Sequence, residues 1–175
     1  MSTIENIKIT SELFLNDIRK KSINGYFEKI FNIKISTMLD DYDDYDEIDE
    51  VPIKIENRGI MIGFIAETIK TPPQIEYVDL DIRNHPENLQ FLTNTDFINL
   101  DFSKLELVKK YLTKYHSCII YFSLYNNRKI DKVIFQDKEL RYELSIDDKY
   151  SIYRIRICCN EVKSTINMRR YYSFE

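Results

Sequence analysis

Glycine, proline and cysteine are all scarce, at three, four and three residues in a chain of 175. With so few glycines, tight hairpins that need positive φ must draw on Asn and Asp, as at Asn126-Asn127. Gly25, Gly59 and Gly63 stand apart and build no glycine-rich phosphate loop, which excludes the usual nucleotide cradles. The zinc-protease spacing HExxH and the nucleophile elbow GxSxG are likewise missing. The odd set Cys118, Cys158 and Cys159 contains no CxxC pair, so it reads as reduced thiols rather than a disulfide framework or a zinc site. Adjacent strand residues face opposite sides, so one of Cys158 and Cys159 is expected to be buried and the other not.

Long apolar runs are missing too. No stretch approaches the about 20 residues that crossing a bilayer requires, and residues 1–20 hold no basic stretch followed by an apolar one. The expectation is a cytoplasmic protein without a membrane association. No cofactor or metal is implied by any spacing. What remains is an ordinary globular balance, 43% apolar and 31% charged, long enough to bury a core as one domain over residues 1–175.

Periodicity supplies the elements. Residues 10–31 read as a helical region, capped at Thr10 or Ser11 and interrupted at Asn24-Gly25, where the apolar stripe slips phase. VPIKIE and GIMIGFIAETI read as strands, the second buried on both faces. In EYVDLDI, Val78, Leu80 and Ile82 alternate with Tyr77, Asp79 and Asp81, the pattern of a half-buried strand. SKLELVKKYLTKYH reads as a helix opened by a capping box of Ser103 and Glu106, with Leu105, Val108, Leu112 and Tyr115 as its stripe. From Ser117 onward the chain reads as an antiparallel meander with turns near Asn126, Asp137 and Asp147. The fold class is therefore α+β: a mainly antiparallel sheet with the N-terminal helical region and one central helix packed on one face.

Candidate chemistry is sparse. His85 and His116 form the only histidine pair, Cys118 lies two residues after His116, and Glu67, Asp79, Asp81, Asp96 and Asp101 supply carboxylates. A small hydrolase or nuclease needs such groups to converge in a cleft. The alternative is structural: a histidine at a helix C-terminus, a cysteine as a small buried hydrophobe, acids on a solvated face. Arg154, Arg156, Lys163, Arg169 and Arg170 with Tyr171 and Tyr172 could grip a nucleic-acid strand, which the net charge of −4 disfavours.

The most unusual feature is DDYDDYDEIDE, residues 40–50, with eight acids in eleven positions. Mutual repulsion makes residues 38–51 an exposed acidic loop, and no window in it has the glycine and ligand order of an EF-hand. Asp41, Tyr42, Asp43, Asp44, Tyr45, Asp46, Glu47 and Ile48 are the expected partner-binding residues, carboxylates for a basic protein surface and rings for contact area. That expectation describes a non-enzymatic inhibitor or immunity-type protein acting on a basic toxin, nuclease or host factor. A structural subunit assembling as a homo-oligomer through an uncovered sheet face or edge is the remaining alternative.

Overall fold

The computed structural model describes residues 8–11, 14, 50–65, 74–115, 117–126 and 129–159. Most of the helical region expected over residues 10–31, and all of the acidic residues 40–49, lie outside these. The described residues form a seven-stranded sheet, antiparallel throughout and mainly β in character, with one α-helix. No helix among the described residues is long and apolar enough to cross a membrane.

The strands are β1 (Glu50–Ile55), β2 (Ile60–Ile65), β3 (Gln74–Asp81), β4 (Cys118–Phe122), β5 (Ile130–Asp137), β6 (Leu140–Ile146) and β7 (Ile152–Cys159). Their order across the sheet is β1-β2-β3-β7-β6-β5-β4. Two meanders are thus joined by pairing the last strand of each. Residues 82–117 leave the middle of the sheet at β3 and cross to its far edge, from which β4 to β7 return. Pro52, which has no amide hydrogen to donate, sits in the edge strand β1, where the loss is tolerated.

The crossing segment covers one face. Side-chain rows run through hydrogen-bonded neighbours, as in Phe135–Tyr142–Ile157–Val78–Ile62 and Val133–Leu144–Ile155–Leu80–Ile60. Every member of both rows is buried. Against them pack Leu92, Phe97 and Phe102 from the crossing segment, and Val108 and Leu112 from helix α1 (Leu105–Leu112). The Phe97 ring centroid lies 5.7 Å from Phe135 and 5.9 Å from Tyr142, the tilted contacts that aromatic quadrupoles favour. Ile9 and Phe14 join the same core, and the Ile9 amide donates to the Phe91 carbonyl at 2.7 Å.

Three expectations are corrected. Ser103 caps no helix: its amide and hydroxyl both donate to Asp101 Oδ1, at 3.1 and 2.5 Å, and α1 starts after Lys104 without a side-chain cap. The nearby Asp101 carboxylate wins the hydroxyl because a turn two residues long brings it closer than the N3 amide. Strand β3 is not half-buried, since Tyr77 and Asp79 are as buried as Val78 and Leu80. Nor do Cys158 and Cys159 divide between inside and outside; both are buried, because β3 and β7 are interior strands whose second face is filled by its own long side chains.

Candidate functional site

The second face of the sheet brings together three of the charged groups singled out in the sequence, Asp79, Arg154 and Arg156. Register places Asp79 of β3, Arg156 of β7 and Glu143 of β6 side by side in one row. The Asp79 carboxylate, about 3% exposed, accepts two hydrogen bonds from Arg156, from Nε at 2.7 Å and from Nη2 at 2.9 Å. The Arg156 guanidinium also lies 3.7 Å over the Tyr77 ring centroid. A strand glycine makes this stacking geometry reachable: a Cβ on Gly63, directly across from Tyr77, would fall 2.1 Å from the ring. Burial alone would lower the Arg156 pKa, yet the Asp79 hydrogen bonds and charge raise it, so the guanidinium stays charged.

Around this centre the charges interlock. Arg141 Nη2 meets Glu143 at 3.0 Å, Lys132 reaches the same carboxylate at 3.7 Å, and Arg154 Nε stands 4.0 Å from Asp79. Cys158 takes an Arg141 hydrogen bond at 3.4 Å, but burial dominates and pushes the thiol up to about 12, which keeps it protonated and unreactive. Arg154 and Arg156, read from the sequence as possible nucleic-acid contacts, therefore belong chiefly to an ion-paired lattice.

The proposed catalytic groups do not converge. His85 lies beyond the end of β3, its Nδ1 3.1 Å from Glu87 and its ring against Gly59, whose φ of +60° is the left-handed conformation glycine permits. Asp81 is beside it, but both carboxylate oxygens are engaged by Asn84, from the amide at 3.0 Å and the side chain at 2.7 Å. Burial would raise the Asp81 carboxyl; these hydrogen bonds outweigh it and hold the group below the usual carboxylate range. Cys118 opens the edge strand β4, four positions from β3 and at the opposite end of the sheet from His85. It is exposed rather than a buried hydrophobe. Asp96 pairs with Lys114 at 3.2 Å, and Asp101 with Lys104 at 3.2 Å. His116, Glu67 and the acidic residues Asp41–Ile48 lie outside the described residues. Among the described residues, no three His, Cys, Asp or Glu gather as metal ligands.

Sequence reasoning missed a polar cleft of about 330 Å³ between the end of α1, residues 94–96 and the β5–β6 turn. Asn94 Nδ2 donates to the Tyr115 hydroxyl at 2.9 Å and to Asp137 at 2.7 Å, and the Tyr111 and Tyr115 hydroxyls meet at 2.9 Å. The Lys114 ammonium lies 4.2 Å over the Tyr111 ring. Burial and the Tyr115 hydrogen bond raise the Tyr111 hydroxyl, so it serves as a neutral hydrogen-bonding group and not as an acid or base. Three separate segments contribute, none with a recognisable spacing, so no local pattern in the sequence signals the cleft. Comparison of the chain with family models, curated proteins and solved structures returns no match.

Proposed function

We propose that this chain is a non-catalytic, cytoplasmic inhibitor of the immunity type, which captures a basic protein partner with the acidic segment around Asp41–Ile48. The observation carrying this reading is the placement of charge. Residues 40–50 hold eight acids and no base, against a whole-chain charge of −4, so the other 164 residues together carry +4. One short segment turns an otherwise basic chain acidic. Closely spaced carboxylates steer a cationic partner into encounter, and burial of Tyr42, Tyr45 and Ile48 then slows its departure.

The bonds of the described acids support the same reading, because Asp79, Asp81 and Asp147 are each committed to internal partners and are not available to a distant cation. The test is an affinity capture at low salt, comparing the intact chain with one whose acids at 40–50 are replaced by Asn and Gln. A basic protein held by the first and released by the second supports the proposal. Equal capture by both removes the acidic segment from the mechanism.

A further inference from the structure

Two charges in the polar cleft between the end of α1 and the β5–β6 turn lack an ionic partner. Of the four that line it, Asp96 and Lys114 neutralise each other at 3.2 Å, and the Lys114 ammonium also lies over the Tyr111 and Tyr115 rings, at 4.2 and 5.1 Å. Asp137 and Lys138 enter no ion pair among the described residues. The floor beneath them is fixed. Asn94 uses both side-chain amide hydrogens, on Tyr115 and on Asp137 Oδ2, and its Oδ1 accepts the Asp96 amide at 3.1 Å. The Asp137 carboxylate is thus anchored by one oxygen, and Oδ1 has no donor among the described residues.

Lys138 is held at the rim against its own backbone preference. It is the first residue of the two-residue turn Lys138-Glu139 that joins β5 to β6, and its φ of 56° is a left-handed conformation for which glycine or asparagine is usual. Gln136 Nε2 donates to the Lys138 carbonyl at 2.7 Å and steadies the turn. Strain of this kind collects at ligand sites. Here it sets a lysine on the wall of the cleft, next in sequence to the anchored carboxylate.

We propose that this cleft binds a free α-amino acid with an uncharged side chain. Asp137 receives the ligand ammonium and Lys138 its carboxylate, so each unpaired charge meets its opposite. A ligand of one charge only would satisfy one of these groups and be repelled by the other. The two groups come from successive residues, so the ligand's own charges must also be close, as they are across the single α-carbon of an amino acid. The remaining acid and base of the cleft already pair with each other, so the ligand side chain has no charge to answer. A volume of about 330 Å³ lies at the small end of ligand sites and suits a molecule of this size. The cleft uses no residue of 40–50, so it stands or falls apart from the acidic segment.

The test is titration of the full chain with alanine, serine, glutamine and leucine, followed by NMR through the Asn94 side-chain amide. Millimolar binding is expected, in keeping with ligands of so few atoms. For whichever binds best, the N-acetyl derivative, which keeps only the carboxylate, and the amide, which keeps only the ammonium, should each bind about tenfold more weakly or worse. Lys138→Gly relieves the turn and so preserves the fold, yet should weaken binding about tenfold or more, as should Asp137→Asn. Lys104→Met, at the opposite end of α1, should leave binding unchanged. Three results overturn the proposal: no amino acid moving the Asn94 signal at about 20 mM, either derivative binding as tightly as its parent, or undiminished binding in the Lys138 and Asp137 variants.

Discussion

Arg156 closes on Asp79 across the β7–β3 pairing through two hydrogen bonds of 2.7 and 2.9 Å, joining residues 77 positions apart in sequence. This contact locks together the strands that unite the two meanders. Removing one member strands the other: Arg156→Leu leaves the 3%-exposed Asp79 carboxylate without its main partner. About 3 kcal/mol of stability should be lost, because an uncompensated buried charge costs far more than the intact pair contributes. Replacing both residues by apolar ones should recover most of the loss. Denaturant titration of the single and double variants checks this; a single-variant loss below about 1 kcal/mol would show that Arg154 already neutralises Asp79.

Gly63 makes room for the Tyr77 ring on which Arg156 rests. Gly63→Ala should therefore destabilise by about 1–3 kcal/mol, the usual penalty for overpacking. In a Tyr77→Ala background the same substitution should cost little. Additive losses in this double-mutant cycle would mean that the glycine serves its own backbone and not the ring.

Much of this arrangement was legible in the sequence, and the reason for the remainder is physical. The four strands from Cys118 to Cys159 were readable because β-branched and aromatic runs alternate with Asp-rich turns that stay local. The alternation in β3 correctly separated Val78 and Leu80 from Tyr77 and Asp79. Burial of both faces was not readable, since it depends on β7 arriving beside β3, a pairing that no local pattern encodes. Ser103 and Glu106 had capping-box spacing, but the competing Asp101 acceptor two residues earlier changed the outcome. The tyrosine cleft was invisible for the same reason as the β3–β7 pair: its residues converge only in three dimensions.

Asp147 gives the stability a defined pH dependence. Hydrogen bonds from the Ser151 amide first, then from Lys149, with the Arg83 charge, hold its carboxyl below the ordinary value despite some burial. As pH falls below about 5, the unfolded chain takes up this proton before the folded one does, so the contribution present at neutral pH is lost on acidification. The cost of Asp147→Asn, measured by denaturation, should be larger at pH 7 than at pH 3. An equal cost at both would show that the turn needs the shape of the side chain and not its charge.

If residues 40–50 steer the partner into encounter, the rate of association with the captured basic protein must depend on their charge. At low salt the intact chain should associate markedly faster than the variant with Asn and Gln at its eight acidic positions, and added salt should narrow the gap. Identical association rates at low salt would contradict the account, leaving the acidic segment without a part in binding.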